Sequence, residues 1–367
     1  MRSELTAIER QIAYSGRLDL GAGYPIGLAP DWVWSLEPCG RSSLVPGQLE
    51  EAAQFALALP SSQASLLSTF TGSIALQRAM IAANNLQSEN FSSVRVLTTD
   101  PCIDIILGMA REITGTSAVR VKIGLQSKFS DKDCSAVCSE INSLSDESVG
   151  LIVVITSPEN PTGAYWSRSQ LKEIAETCKF TNSILIVDHC FLMAGIHGES
   201  DVCAIWDVVD LDASIIGIWD TGKILHLDGS KVGFLIAKNA TIVRELEDAL
   251  SIIQFGVADY TSTWFSRILI DPRFPDLISN LSRVSRQNQA LLRSWAQSQE
   301  ISIHNAEGGT FELIKLGNSR GGNVGTVPFS VFTSESFEAN GWQRVALARQ
   351  TDVFAQFLRQ LGQDGKT

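Results

Sequence analysis

The sequence predicts an α/β fold, with a mostly parallel sheet and helices on both of its faces. Between about residues 65 and 237, short apolar runs alternate with segments of helical character, as in strand–helix units. The chain has 367 residues, of which 44% are hydrophobic and 19% charged, so it can bury a large core. Its length alone suggests two or three domains.

Five apolar runs have the pattern of buried strands. They span residues 94–98, 151–156, 184–187, 215–219 and 233–237. Between the second and third runs, Ser167 and Gln170 have the spacing of a helix capping box. An apolar stripe at helical spacing follows, made of Leu171, Ile174, Ala175 and Cys178. The pattern therefore predicts an amphipathic helix between two parallel strands.

The net charge of −11 argues against a nucleic acid or an anionic membrane surface as partner. It is compatible with a cationic small substrate. The seven cysteines form no paired framework; Cys134 and Cys138 are four residues apart but have no nearby histidine pair, so we expect no metal site. The first residues lack an apolar signal core and no run reaches membrane-spanning length, so a cytoplasmic location is expected.

Polar residues follow three of the predicted strands. Asn160 lies in the turn Ser157–Gly163, Asp188 ends the run 184–187, and Lys223 follows the run 215–219. In open parallel sheets, ligands bind at the carboxyl ends of strands, where these three side chains would meet. Upstream, Thr71, Gly72 and Ser73 open a helical segment, and a helix N-terminus of small and hydroxyl residues suits a phosphate.

This order of phosphate segment, amide, carboxylate and lysine resembles the fold type I pyridoxal phosphate (PLP) enzymes, the aspartate aminotransferase superfamily, over nearly the whole chain. The resemblance implies that Lys223 holds the PLP aldehyde, Asp188 pairs with the pyridine nitrogen and Asn160 donates to the phenolic oxygen. The implied phosphate contacts are Thr71, Gly72, Ser73, Thr221 and Lys231. It also implies a homodimer.

The resemblance implies a domain order as well. A segment at 1–45 would join the small domain, 46–260 would form the large PLP-binding domain, and 261–367 would form the small C-terminal domain. Beyond about residue 260 the pattern changes: a long helical region at 277–299 leads to residues 301–304 and 308–313, and a helix is predicted at 351–361. Arg344 matches the arginine that binds the substrate α-carboxylate, with Arg349 as the competing choice.

Four positions depart from the superfamily pattern. Lys231 stands where an arginine usually binds the phosphate, and Phe191 where a tyrosine usually donates to the phenolic oxygen. Ile103 falls where many relatives stack an aromatic ring on the cofactor. Asp220 replaces a phosphate-binding serine; because an anion repels a phosphate, we expect Asp220 to point elsewhere, toward a cationic substrate or a catalytic water.

Residues 220–223, Lys231 and Phe191 together resemble a narrower group of PLP enzymes in guanidino amino-acid biosynthesis. It contains the arginine oxidases of the enduracididine and indolmycin pathways and the cyclases that form capreomycidine and enduracididine. In this group Glu9 would bind the substrate guanidinium; the alternative is a solvated glutamate on an N-terminal helix. Gly23 and Tyr24 would line the substrate pocket, and Tyr24 stands where the oxidases carry a histidine, which disfavours the oxidase reading.

The leading functional prediction is a PLP-dependent cyclase or dehydratase acting on a hydroxylated L-arginine. Lys223 would remove the Cα proton, a Cβ proton and the γ-hydroxyl would be lost, and a guanidine nitrogen would close the ring. The alternatives are a class I/II aminotransferase, a PLP- and O2-dependent arginine oxidase, and a non-catalytic PLP-fold module. His189 and His226 lie near the predicted site, but no direct catalytic role is predicted for either.

Overall fold

The computed structural model describes residues 3–15, 18–21, 23–38, 48–59, 62, 64–145, 148–196, 202–208, 214–225, 227, 229–254, 256–316, 324–334 and 341–364. Within them the helices are α1 (Glu4–Tyr14), α2 (Asp31–Ser35), α3 (Gln48–Ala56), α4 (Gly72–Asn90), α5 (Asp104–Thr114), α6 (Asp131–Leu144), α7 (Arg168–Phe180), α8 (Ala240–Ser251), α9 (Asp259–Leu269), α10 (Phe274–Ser298) and α11 (Thr351–Asp364). The strands are β1 (Leu18–Asp19), β2 (Ser65–Thr69), β3 (Ser93–Asp100), β4 (Val119–Lys122), β5 (Val149–Thr156), β6 (Ile184–Asp188), β7 (Ile215–Asp220), β8 (Gly233–Ala237), β9 (Phe311–Lys315), β10 (Val324–Gly325), β11 (Val327–Pro328) and β12 (Trp342–Ala346).

The large sheet has the order β2-β8-β7-β6-β5-β3-β4. The strands β3 to β7 pair in parallel, whereas β8 runs antiparallel to both of its neighbours. The predicted α/β fold with a mostly parallel sheet is therefore confirmed, and all five predicted strand runs are strands. The strands β2 and β4 were not predicted from the sequence, because both are short and only partly buried.

Successive residues of the central strands point to opposite faces of this sheet, and each face is covered by helices. Val153 and Leu185 pack on the face covered by α6 and α7, whereas Val154 and Ile186 pack on the face covered by α4 and α8. The predicted capping box at the start of α7 is present. Burial on both faces explains why the strands read as continuous apolar runs.

A smaller antiparallel sheet of order β11-β12-β9 carries Arg344 on its middle strand. Leu5 and Ile12 of α1 pack against Leu313 and Val327 of this sheet, so the N-terminal helix and the C-terminal strands share a core. The expected division at 45/46 and 260/261 stays a prediction. None of the helices in the described ranges is long and apolar enough to cross a membrane.

Removing the cap of α7 should destabilise the protein. The Ser167 side chain accepts from the Gln170 N–H, and the Gln170 side chain accepts from the Ser167 N–H at 3.0 Å. We expect Ser167→Ala to lower the free energy of unfolding by about 1 kcal/mol, because a helix-end amide loses its acceptor. Urea denaturation followed by circular dichroism measures it, with exposed Ser298→Ala as the control. Equal midpoints for both variants would contradict the role of the cap.

Candidate active site

A cavity of about 500 Å³ opens where β5, β6 and β7 end. Eleven of the thirteen predicted site residues line it, and all thirteen lie in the described ranges. The eleven are Glu9, Gly23, Tyr24, Thr71, Gly72, Ser73, Asn160, Asp188, Asp220, Lys223 and Lys231. Thr221 and Arg344 do not line it. The volume is within the range of small-molecule and cofactor sites.

The strand register brings the polar residues of this edge together. Asp188 at the end of β6 pairs with Thr156 of β5 on one side and Ile218 of β7 on the other. A single 3-10 turn, Thr221–Lys223, then carries Lys223 from the end of β7 into the cavity. Lysine and carboxylate thus come from neighbouring strands.

The Lys223 amine lies against aromatic rings. Its Nζ is 4.2 Å from the centroid of the Tyr24 ring and 5.3 Å from that of Phe191. Burial would lower the pKa of Lys223, but the nearby oxygens of Tyr24, Asp220 and Glu9 outweigh it, so the pKa is raised. This amine must lose a proton before it can attack an aldehyde.

Gly23 keeps the approach to this amine open. A Cβ at this position would lie 3.5 Å from Lys223 Nζ and 3.2 Å from the Phe311 ring. A longer side chain would therefore fill the space in front of the lysine.

Asp188 is buried, and its Oδ1 accepts from the Cys190 N–H at 2.9 Å. Burial raises the pKa of Asp188, whereas the Cys190 hydrogen bond and the charge of Lys223 oppose the rise. A protonated pyridine nitrogen is a cation of the kind that keeps such a carboxylate ionised.

His189 points away from Asp188. Its Nδ1 lies 2.8 Å from the Ser157 carbonyl oxygen, and its Nε2 accepts from the Ile205 N–H at 2.9 Å. Burial lowers the pKa of His189 to about 4, so the ring is neutral and its Nδ1–H donates to Ser157. His189 thus links the backbone at Ser157 to the backbone at Ile205 through hydrogen bonds. His226 lies outside the described residues.

The Asn160 carboxamide is oriented by Arg344. Its Oδ1 accepts from Arg344 Nη1 at 2.7 Å, so the amide nitrogen is the part of Asn160 that can donate to a cofactor. The preceding Glu159 stabilises the turn that contains Asn160. Its Oε2 accepts from the Thr162 hydroxyl at 2.5 Å and from the Thr162 N–H at 3.2 Å.

The Arg344 guanidinium is fully buried behind the cavity. Nη2 donates to Glu9 Oε1 at 2.8 Å and to the Gly21 carbonyl at 2.5 Å, and the group lies 4.3 Å from the Phe311 ring centroid. Glu9 is therefore paired with Arg344, and the alternative of a merely solvated glutamate is wrong. A carboxylate on this guanidinium occupies the place expected for a substrate α-carboxylate.

Arg349, the competing arginine, holds the backbone of the N-terminal segment. Its Nε donates to the Asp19 carbonyl at 2.7 Å, and its Nη1 donates to the Tyr24 carbonyl at 2.5 Å. These contacts fix the backbone at Asp19 and at Tyr24, and Tyr24 lines the cavity beside Gly23.

Two predictions about the phosphate end are corrected. The Thr221 hydroxyl donates to the Val232 carbonyl at 3.2 Å and accepts from the Val232 N–H at 2.9 Å, so it links the turn after β7 to the residue before β8, and it does not line the cavity. Asp220, expected to point away from the phosphate segment, instead accepts from the Gly72 N–H through Oδ2 at 2.5 Å. The unpaired amides and the positive dipole end of α4 attract this carboxylate.

The other predicted phosphate ligands lie around the same helix end. The Thr71 hydroxyl caps α4 by accepting from the Ile74 N–H at 3.1 Å. Lys231 lines the cavity, and its Nζ donates to the Tyr24 hydroxyl at 2.6 Å. A Cβ on Gly72 would lie 2.8 Å from Cys190 Sγ, so only glycine fits this packing without a shift.

These residues fit PLP. A buried carboxylate, an amide held by an arginine and a lysine stand at one sheet edge, as the ring and the aldehyde require. The helix N-terminus and Lys231 suit the phosphate, although Asp220 already engages one of the helix amides.

Sequence reasoning missed several lining residues. Cys190, Asp19 and Leu5 also line the cavity. For Cys190, its position two residues after Asp188 was a usable signal. Nothing in the local pattern of Asp19 or Leu5 indicated the site, because they reach it only through packing of the N-terminal segment.

One group of potential metal ligands occurs in the described ranges, at Cys134, Cys138 and Glu173. Their ligand atoms lie within 4.8 Å of one another on α6 and α7, and none lines the cavity.

Comparison with known proteins identifies a family. The family model for aminotransferase class I and II matches residues 109–352. Kynurenine–oxoglutarate transaminase of Dictyostelium discoideum is 24% identical over 222 residues, which are 55% of this chain and 48% of that protein. Histidinol-phosphate aminotransferase of Clostridium botulinum is 32% identical over 108 residues, 29% of this chain and 27% of that protein. The chain thus spans half or less of these curated relatives.

Solved structures show the same fold. N-succinyldiaminopimelate aminotransferase from Mycobacterium tuberculosis superposes with a TM-score of 0.81 at 18% identity, covering 99% of this chain and 97% of that one. Aspartate aminotransferase from Thermus thermophilus gives a TM-score of 0.75 at 16% identity, with 99% and 97% covered.

Glu159 should make stability depend on pH. Burial raises its pKa to about 8 from an ordinary 4.5, so between these values the folded state holds a proton that the unfolded state has lost. The stabilisation that Glu159 gives to the folded state is therefore fully present below pH 4.5 and is lost as the pH rises through about 8. We expect Glu159→Gln to reduce the loss of unfolding free energy between pH 5 and 8.5 by roughly 1–3 kcal/mol.

Urea denaturation across this pH range measures the difference, with exposed Glu89→Gln as the control. Parallel stability profiles for wild type and Glu159→Gln would contradict a protonated Glu159.

Proposed function

The chain belongs to the aminotransferase class I and II family, whose enzymes depend on PLP, and from this premise we propose that it transfers the amino group of an α-amino acid. One observation carries the proposal: the buried Arg344 guanidinium, held by Asn160, binds a carboxylate beside the cavity that Lys223 lines. An amino acid whose carboxylate replaced that of Glu9 would have its Cα within the same cavity.

When bound, PLP supplies an electron sink for the negative charge that develops at Cα. Asp188 would pair with the ring nitrogen, and Asn160 would donate to the phenolic oxygen. Lys223 would hold the aldehyde and, once released, would take the proton from Cα and return it to another carbon. Its raised pKa favours the protonated amine, which is the form that returns a proton.

The family pattern also supports a proposal on assembly. We propose a homodimer, as the superfamily resemblance implies, in a cytoplasmic setting. Size-exclusion chromatography with light scattering tests the dimer; a monomeric mass in the active protein would contradict it.

A second candidate is cyclisation of a hydroxylated L-arginine, favoured by the position of Glu9. A substrate carboxylate that takes Arg344 sets the Glu9 carboxylate free at the cavity wall, where it can bind a guanidinium. The reaction would remove the Cα and Cβ protons, expel the γ-hydroxyl as water, add a guanidine nitrogen to Cγ and return one proton each to Cβ and Cα, so that the net loss is one water. An arginine oxidase differs by consuming O2.

Changing Arg344 tests the carboxylate site. We expect Arg344→Lys to lower kcat/KM for amino acids by about 10- to 100-fold, because a charge-assisted pair of hydrogen bonds is worth about 1.5–3 kcal/mol. The assay is keto-acid formation from a panel of amino acids with 2-oxoglutarate as acceptor. Exposed Arg286→Lys is the control. An unchanged kcat/KM in Arg344→Lys, or amino transfer by neither wild type nor control, would overturn the proposal.

Changing Glu9 separates the two candidates. In Glu9→Gln the competitor for Arg344 loses its charge, so we expect KM to fall for neutral amino acids and to rise about tenfold for arginine and γ-hydroxyarginine. Glu4→Gln, exposed in the first turn of α1, is the control. Mass spectrometry detects water loss from γ-hydroxyarginine, and an oxygen electrode detects oxidation. No water loss would exclude the cyclase, and a fall in KM for every substrate would contradict a guanidinium role for Glu9.

A further inference from the structure

We propose that Asp220 competes with the phosphate group of PLP for the N-terminus of α4 and so limits the affinity for the phosphorylated cofactor. The inference rests on the proposed function in one respect, that PLP is the cofactor. It concerns the binding step alone and needs no particular reaction afterwards.

The Asp220 side chain occupies two main-chain amides at the edge of the cavity. Oδ2 accepts from the Gly72 N–H and Oδ1 accepts from the Gly222 N–H, both at 2.5 Å, and the side chain is buried. Two main-chain amides and the positive end of a 19-residue helix are what a phosphate uses in such a site.

The space at this helix end is filled by the same carboxylate. An atom at the Cβ position of Gly72 would lie 2.9 Å from both Asp220 Cβ and Oδ2, and 2.8 Å from Cys190 Sγ. Because Asp220 Oδ2 lies 2.5 Å from the Gly72 nitrogen, a phosphate oxygen that accepted from the same N–H would meet the Asp220 oxygen at van der Waals distance or closer. The carboxylate must leave that amide before the phosphate takes it.

The charged side chains that line the cavity do not remove the competition between the Asp220 carboxylate and the phosphate. Lys223 and Lys231 line the cavity and attract both anions, whereas Asp188 adds further negative charge. Lys231 donates to the Tyr24 hydroxyl and contributes one compact cation. A serine at position 220, as the superfamily usually carries, would donate to a phosphate without opposing it.

The contrast between PLP and pyridoxal, which lacks the phosphate, isolates this effect. We expect Asp220→Ser to lower the Kd for PLP by about tenfold, equivalent to about 1.4 kcal/mol, and to leave the Kd for pyridoxal within about twofold. Asp220→Asn, which keeps the shape and an acceptor but drops the charge, should shift the PLP Kd in the same direction. Absorbance and fluorescence titrations measure these constants.

Asp133→Asn serves as the matched control, because Asp133 also accepts from a helix-end N–H but does not line the cavity. It should leave the ratio of the two Kd values unchanged. Far-UV circular dichroism verifies that each variant is folded; if Asp220→Ser fails to fold, Asp220→Asn decides the matter.

An unchanged or higher PLP Kd in the folded Asp220 variants would overturn the inference, and so would an equal shift for PLP and pyridoxal. Absence of PLP binding in every variant would overturn it as well. Failure of the proposed function is distinguishable, because amino transfer could be absent while the titrations still showed the expected PLP-specific shift.

Discussion

The parallel register of β5, β6 and β7 is the constraint on which the site depends. It pairs Asp188 with Thr156 and with Ile218, so three strands deliver their last residues to one edge. A slip of one residue would turn every side chain of a strand to the other face. Because helices cover both faces, such a slip would also place the wrong side chains of the strand in each of the two packed cores. The stability of the sheet and the geometry of the site therefore have the same origin.

Two carboxylates of the chain itself accept from buried donor groups near this edge. Glu9 pairs with the buried Arg344, and Asp220 binds the amides at the start of α4. An isolated buried guanidinium would cost several kcal/mol, so a resident anion stabilises the fold. If Arg344 and the start of α4 bind ligand anions as proposed, those anions exchange with these carboxylates. Glu9 lies on α1, which packs on the C-terminal sheet.

The sequence predicted those parts of the fold that depend on residues close together in the chain. The buried runs became β3, β5, β6, β7 and β8, and the capping box of α7 formed, because burial and capping depend on nearby residues. The positions of Asn160, Asp188 and Lys223 followed from the rule that parallel strands end together. The direction of the Asp220 and Thr221 side chains did not follow. Asp220 is directed by Gly72, which is 148 positions away, and Thr221 by the backbone of Val232, just before the next strand. The pairing of Glu9 with Arg344 spans 335 positions and left no local trace.

We propose that Lys223, at the end of β7, is the lysine that holds the cofactor. Lys231 is the real competitor, because its amine also lies within 5 Å of the Tyr24 ring centroid, at 4.7 Å against 4.2 Å for Lys223. Borohydride reduction of the PLP-treated protein, followed by peptide mapping by mass spectrometry, locates the attachment. We expect a phosphopyridoxyl group on Lys223 alone. A label on Lys231, or none on either lysine, would contradict it.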